Sequence, residues 1–332
     1  MKDKLVSVII PTYRGSDALM VALESIYRQS YRHYEVIVAD DNGPGEDEQL
    51  KTAAIIENYA QKMPISYLVK EHVNGSHARN NGLAVAKGDY ICFLDDDDFY
   101  LPHYLEKAVE ALENETQKAI VFFDVIILNK EGTCRKVNNE TISAKDILLS
   151  KKEIGTGSNL FFRREVYDES GGFDERYLRF QDFEFITKKL NRYGAVWIKE
   201  TMIVKFFNQT DNFLNYEKSL RMQELYRQDS LEKALITAQE EQQIRNLQLH
   251  NLYKDMLAKN VSKNDIAQIY AIMKEAKMAN VADKVMLIVY SLSKGLFNLF
   301  FKTYMLVAYG NKEVRADDLL SYRKTLKESY KA

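Results

Sequence analysis

Four consecutive carboxylates, Asp95-Asp96-Asp97-Asp98, follow directly on the apolar run at residues 90–94. Like charges at that spacing repel. A chain that holds them at one strand end gains by holding a hard divalent cation there too. Mg2+ and Mn2+ accept oxygen ligands, typically one or two carboxylates completed by substrate phosphates. Left to solvent, the same tetrad would be an acidic loop or the acid-rich start of a helix; its place at the end of a buried strand favours the metal. A second acidic pair, Asp40-Asp41, ends the run 34–39 and leads into Asn42-Gly43. Asp-Asn-Gly is good turn chemistry by itself, yet on a neighbouring strand end it can also read a base or a ribose. Arg79, within Ser76-His77-Ala78-Arg79-Asn80-Asn81, is either a surface arginine or a partner for an anionic phosphate.

The elements that must position these residues are legible as alternating periods. Residues 6–10 are an almost entirely apolar run, as a strand buried on both faces requires. Pro11 and Gly15 end it, and Ser16 or Asp17 can cap a helix carrying Leu19, Leu23, Ile26 and Tyr27 at helical spacing. Strands are predicted at 34–39, 65–69 and 90–94, with helices over 46–62 and 76–87 and Gly88 just past the latter. Pro102 suits the first turn of a helix through Leu105, Ala108 and Leu112. Strand–helix–strand repeats of this kind imply a parallel sheet with right-handed crossovers, whose ligands bind off the carboxyl ends of the strands. Both acidic clusters fall at such ends. Further along, 119–128 is another strand, 155–158 a flexible loop, 171–175 a turn, 181–193 a helix ended by Gly194, and 196–199 a short strand.

The bulk numbers exclude several classes. The chain has 332 residues, 46% apolar and 28% charged, enough for about two units with a sizeable core. A net charge of −2 gives no electrostatic case for nucleic acid as a partner. Two cysteines, Cys92 and Cys134, make neither a disulfide framework nor a thiolate metal site, and Cys92 reads as a small core residue. No export signal and no span of roughly 20 apolar residues is evident, so a cytoplasmic enzyme is expected. From about residue 214 the composition turns to helix formers without proline. We therefore expect two domains, 1–213 and a helical C-terminal extension over 214–332. Within the extension, 285–309 clusters Phe297, Phe300, Phe301 and Tyr304 beside Lys294 and Lys302, and 281–332 carries nine Lys or Arg against five Asp or Glu. Such a segment can lie on a membrane surface, pack internally, or join two copies of the chain as a homo-oligomer.

Taken in order, residues 6–13 (Val-Ser-Val-Ile-Ile-Pro-Thr-Tyr), Asp40-Asp41, Ala78-Arg79-Asn80 and residues 88–98, ending in the four aspartates, resemble the family 2 inverting glycosyltransferases of GT-A fold, of the kind that build bacterial surface polysaccharides. Gly171-Gly172-Phe173-Asp174-Glu175 followed by Gln181-Asp182 resembles the acceptor-side segment of that family, so the resemblance runs over about residues 5–212. It implies an α/β, Rossmann-like, mainly parallel GT-A catalytic domain. It also implies roles. Thr12 and Tyr13 line the nucleobase pocket, Asp41 bonds the uracil edge, and Arg79 sits near the nucleotide. Asp95 and Asp97 form the D-x-D motif, with Asp97 the direct ligand of Mn2+ or Mg2+ and Asp96 beside the donor. Asp182 is the catalytic base, at a helix start that favours its ionised form. The implied donor is a UDP-sugar. The implied acceptor is a glycan, often lipid-linked at the cytoplasmic face of the membrane.

Two departures from the family pattern stand out. The histidine often found on a later loop near the metal is missing from residues 206–212, where Gln209 or Asp211 can replace it, and the base helix is preceded by Gln181 in place of a second carboxylate. A catalytically silent relative that binds nucleotide or a partner is the alternative function. A dinucleotide-binding enzyme would need a glycine-rich G-x-G-x-x-G turn after the first strand, and Pro11-Thr12-Tyr13-Arg14-Gly15 is not one.

Overall fold

A computed structural model describes residues 4–129, 134–207, 216–233, 235–258, 263–275 and 316–329. They fall into two compact units, one drawn from 1–147, 152–207 and 313–332, the other from 148–151 and 208–312.

The first unit opens with strands and helices in alternation: β1 (Val6–Thr12), α1 (Ser16–Tyr27), β2 (Tyr34–Asp40), α2 (Asp47–Ala60), β3 (Ile65–Val69), α3 (Gly75–Val85) and β4 (Tyr90–Phe93). The four strands pair in parallel in the order β3-β2-β1-β4. Every residue of β1 is buried, which is why its middle reads as an apolar run, with Ser7 and Thr12 the polar exceptions. Pro11 interrupts nothing. The Ile9 carbonyl accepts from Leu94 on the β4 side, and Thr12 bonds Asp41 on the β2 side. Alternation therefore turns Pro11 toward β4, beyond that strand's last residue, where no N–H is needed. The sheet opens at this point, and the four aspartates leave β4 into the opening.

The chain continues through β5 (Phe99–Tyr100), α4 (Tyr104–Asn114), β6 (Ile120–Asn129), β7 (Cys134–Val137), α5 (Ala144–Leu148), a 3-10 turn (Gly157–Asn159), β8 (Phe161–Arg163), α6 (Arg164–Ser170), α7 (Gln181–Tyr193) and β9 (Ala195–Phe207). The sheet order is β3-β2-β1-β4-β8-β6-β9-β5, with β7 on β6. The mainly parallel sheet expected from the sequence is present in β3-β2-β1-β4 and in the long β6-β9 pair, while β5, β7 and β8 add antiparallel contacts. β9 runs well beyond the short strand predicted at 196–199. Its register on β6 jumps from Phe123↔Ile198 to Asp124↔Thr201, so Lys199 and Glu200 bulge outward. There they meet Glu140 and Lys107. That polar pair hides the continuation of the strand from a periodicity argument. Buried aromatics fill the core where the two halves of the sheet meet. Tyr100 and Tyr104 stack at 3.7 Å, and the Tyr100 hydroxyl donates to the carbonyls of Phe93 and Ser158. Cys92 is fully buried among them, as expected.

The second unit is helical: α8 (Tyr216–Glu232), α9 (Ala238–Ala258) and α10 (Lys263–Glu275). Arg227 of α8 donates to Glu241 and Gln248 of α9, and Tyr253 of α9 lies 6.1 Å from Tyr270 of α10. The last helix, α11 (Ala316–Ser329), belongs to the first unit and lies against α1. The stretch beyond residue 214 that composition sets apart is thus shared between the units. No helix among the described residues is long and apolar enough to cross a membrane. Gln209, Asp211 and the cluster Lys294, Phe297, Phe300, Phe301, Lys302 and Tyr304 lie outside the described residues.

Candidate active site

The four aspartates after β4 have four different environments. Asp98 is fully buried and anchors the site. It accepts from Thr156 Oγ1 at 2.7 Å, Ser158 Oγ at 2.6 Å and the Phe206 N–H at 3.2 Å, which ties β4 to the 3-10 turn and to β9. Asp96 accepts from Thr12 Oγ1 at 2.6 Å. Its Oδ2 lies so close to Gly15 that a β-carbon there would sit 2.0 Å away, so the residue before α1 must lack one. The helix cap falls on Gly15 and neither Ser16 nor Asp17 takes that position. Asp95 pairs with Arg79 Nη2 at 2.5 Å. Asp97 is half-buried and accepts no hydrogen bond among the described residues.

Arg79 is brought there by α3. Asn74 caps that helix by accepting from the His77 N–H at 3.0 Å. One turn on, Arg79 reaches back to the Gly75 carbonyl and across to Asp95, over the Phe173 ring. Its Nε is buried without a partner among the described residues. Asn80 clasps the Gly171–Glu175 turn onto the same helix: it accepts from the Phe173 N–H at 2.8 Å and donates to the Phe173 carbonyl and to Glu175 at 2.9 Å.

That clasp delivers the chain to α7. Phe180, ahead of the helix, has φ 67°, a left-handed conformation unusual for a bulky residue and costing about 1–3 kcal/mol. Asp182 is the second residue of α7 and caps the Phe183 N–H at 3.0 Å. A β-carbon on Gly75 would stand 3.0 Å from Arg79 Nη1 and 3.3 Å from Gln181 Nε2, so the starts of α3 and α7 converge on the arginine. The buried ring on α7 is Phe185, while Phe183 is half-buried.

Electrostatics set the states of these groups. Asp95, Asp96, Asp97 and Asp182 keep some exposed surface, whereas Asp98 is fully enclosed. Burial pushes Asp96 up to about 7, against its bond from Thr12. Burial also raises Asp98 to about 6, with Lys205 acting against it. Asp97 rises well above the ordinary carboxylate value through burial and repulsion from Asp98, Asp96 and Asp95. Burial acts upward on Asp95 as well, but Arg79 and Lys205 outweigh it and hold that carboxyl below its usual value. Burial raises Asp182, opposed by Lys205 and Arg79. Lys205 on β9 is the residue that sequence reasoning missed. Burial would lower its ammonium, yet the fields of Asp98, Asp95, Asp97 and Asp182 raise it, without a direct ion pair among the described residues. A single lysine inside the apolar run 203–207 was the available signal.

At the neighbouring strand end, Asp41 is buried and accepts from the Val73 N–H at 3.0 Å and His72 Nδ1 at 2.8 Å. The His72 ring stacks on Tyr13 at 3.9 Å and 12°, and Tyr13 stays 37% exposed, leaving a ring available to a flat ligand. Asp40 is spent internally on Asn42 and Tyr67. The site thus joins, within one unit, Thr12, Tyr13, Asp41, Arg79, the four aspartates and Asp182. It brings carboxylate oxygens together with the cations Arg79 and Lys205.

The family described as "Glycosyl transferase family 2" matches residues 7–171. The uncharacterized glycosyltransferase YwdF of Bacillus subtilis is 31% identical over 218 residues, covering 62% of this chain and 76% of that protein. The chain belongs to glycosyltransferase family 2. The amylovoran biosynthesis glycosyltransferase AmsB of Erwinia amylovora is 31% identical to this glycosyltransferase over 192 residues, 55% of this chain and 63% of AmsB, so the match spans less than two thirds of AmsB. Among solved structures, S. aureus TarS 1–349 in complex with UDP-GlcNAc aligns with a TM-score of 0.51 at 17% identity, covering 93% of each chain. The mannosyltransferase PcManGT from Pyrobaculum calidifontis, in complex with GDP-Man and Mn2+, aligns with a TM-score of 0.53 at 19% identity, over 92% of this chain and 85% of that one. The fold of this glycosyltransferase is the GT-A fold.

Proposed function

We propose that this glycosyltransferase moves a sugar with inversion from a nucleoside-diphosphate sugar, a UDP-sugar, to a hydroxyl of a lipid-linked glycan in surface-polysaccharide synthesis. The observation that carries the reading is the meeting of Asp182 with the tetrad: Asp182 stands in the fields of Arg79, Lys205 and Asp95. The complexes that name TarS with UDP-GlcNAc and PcManGT with GDP-Man support a nucleotide-sugar donor. The name of AmsB supports a polysaccharide product.

The donor set suits a hard cation. Asp97 offers carboxylate oxygens that no donor among the described residues uses, with Asp95 two residues away. Asp97, together with Asp95, would hold Mn2+ or Mg2+, whose charge would neutralise the diphosphate leaving group. The protein's own groups perform the remaining work. Tyr13 offers a ring face to the base, Thr12 braces Asp96 beside the donor, and Asp41 accepts from the base edge. Arg79 fixes Asp95 at the site. Asp182 takes the proton of the acceptor hydroxyl as that oxygen attacks the anomeric carbon, so a single carboxylate suffices for inversion. Burial raises its pKa and favours the neutral form, and the two nearby cations, Lys205 and Arg79, work against that rise.

The test is donor consumption. A panel of UDP-sugars with Mn2+ should yield UDP in the presence of acceptor, and EDTA should abolish the reaction. A chain that releases no nucleoside diphosphate from any donor, or that keeps full turnover in chelator, would overturn the proposal. The cluster of Phe297, Phe300, Phe301 and Tyr304 beside Lys294 and Lys302 would place the enzyme on the inner membrane face. Co-flotation with anionic vesicles that weakens in salt and vanishes when 281–332 is removed is the matching observation.

A further inference from the structure

α11 belongs to the same unit as the tetrad although it is far from it in sequence. Leu326 fills an apolar slot formed by Val21, Phe99, Ile126, Leu128, Val204 and Phe206. Arg28 Nη2 donates to Ser329 Oγ at 2.6 Å, and the Tyr322 ring lies 5.9 Å from Phe99. These contacts fix the rotation of the helix. Three residues before Leu326, and so on the same face, Arg323 places its guanidinium over the Phe206 ring, with its central carbon 3.8 Å from the ring centroid. Phe206 is the residue whose N–H bonds Asp98.

Stacking occupies the face of a guanidinium and leaves its N–H edge available, the geometry suited to reading a phosphate. Arg323 Nε is buried and bonds nothing among the described residues. Burial lowers the guanidinium pKa, and the field of Asp97 opposes that fall, yet no ion pair joins the two. A half-buried guanidinium whose donors are unspent among the described residues goes beyond what the docking of α11 requires. Leu326, Tyr322 and Ser329 already account for the docking.

We propose that Arg323 is a further donor-binding residue: its guanidinium, aligned by Phe206, bonds a phosphate oxygen of the nucleotide-sugar diphosphate. The inference rests on the nucleotide-sugar reading given above. It assigns α11 to the machinery of the site and not only to the packing behind it.

Binding measured on the full chain with Mn2+ present separates the possibilities. UDP is titrated calorimetrically and uridine by saturation-transfer NMR, into wild type, Arg323→Met and Arg323→Lys. Methionine keeps an unbranched stem on Phe206, and lysine restores the charge without the planar edge. Arg323→Met should weaken UDP about tenfold or more and uridine less than twofold, with Arg323→Lys in between. Wild-type affinity for UDP in Arg323→Met overturns the assignment. So does an equal loss for UDP and uridine, which is the signature of a disturbed fold. If Arg323→Met does not fold, Arg323→Lys decides by the same comparison. Failure of the wild-type chain to bind any nucleoside diphosphate, by contrast, overturns the donor reading itself.

Discussion

Adjacent aspartates in the tetrad should respond to alanine in opposite ways. Asp98→Ala removes an acceptor shared by Thr156, Ser158 and the Phe206 N–H, all buried. A buried donor left unpaired costs about 1–3 kcal/mol, and the two hydroxyls can partly re-pair, so the sum is roughly 3–5 kcal/mol. At about 2–4 °C per kcal/mol for a unit of this size, the melting temperature should fall on the order of 10 °C. Asp97→Ala removes no hydrogen bond among the described residues and takes one charge out of a repelling cluster. It should melt at or above wild type and yet lose turnover by about 10²-fold or more, because the charge stabilisation of the leaving group goes with it. Both variants are melted in chelator at pH 8, where Asp98, raised to about 6, is ionised, and both are assayed for UDP release with Mn2+. An Asp98→Ala protein that melts like wild type would refute the anchoring argument. An Asp97→Ala protein that melts 10 °C lower would refute the claim that Asp97 is structurally idle.

Asp182→Asn should retain UDP binding and lose about 10²-fold or more in kcat, since the amide cannot accept the proton; near-wild-type turnover would remove Asp182 as the base. Gly15→Ala puts a carbon 2.0 Å from Asp96 Oδ2; the displaced carboxylate and its Thr12 partner should cost about tenfold or more in kcat/KM, and an unchanged value in steady-state kinetics would deny any tight contact. Stability should also link metal to pH. Burial raises Asp96 to about 7 and Asp98 to about 6, so between about pH 4 and 7 the folded state binds protons that the unfolded state has released. Metal-free protein therefore loses stability as pH rises through that window. The melting gain from Mn2+ over EDTA should be larger at pH 8 than at pH 6, and equal gains would contradict the sign.

The N-terminal half was legible because buried parallel strands are apolar runs and their acidic ends interrupt them abruptly. β1 to β4 and the start of α7 required nothing more. Residues 155–158 were read as a flexible loop because Gly-Thr-Gly-Ser has loop composition. Thr156 and Ser158 become buried ligands of Asp98 only through contacts with a segment about 60 positions earlier, which no local pattern encodes. The long β9 was obscured by the bulged Lys199-Glu200, and with it the placement of Lys205. The affiliation of α11 was equally hidden. Its composition matches that of the helices before it, and the slot that receives Leu326 is assembled from α1, β5, β6 and β9.

The return of α11 to the first unit also bears on how the protein is made. Translation delivers β1 through β9 first, then the whole second unit, and only afterwards the helix that covers Val21, Phe99 and Phe206. Domains fold as units in the order they emerge, so the nascent sheet must wait with that apolar slot open while more than 100 residues are added. The interval is a period of exposure to aggregation and chaperones. A chain cut at the compositional boundary near 214, the obvious way to express a minimal domain, would remain in that waiting state permanently.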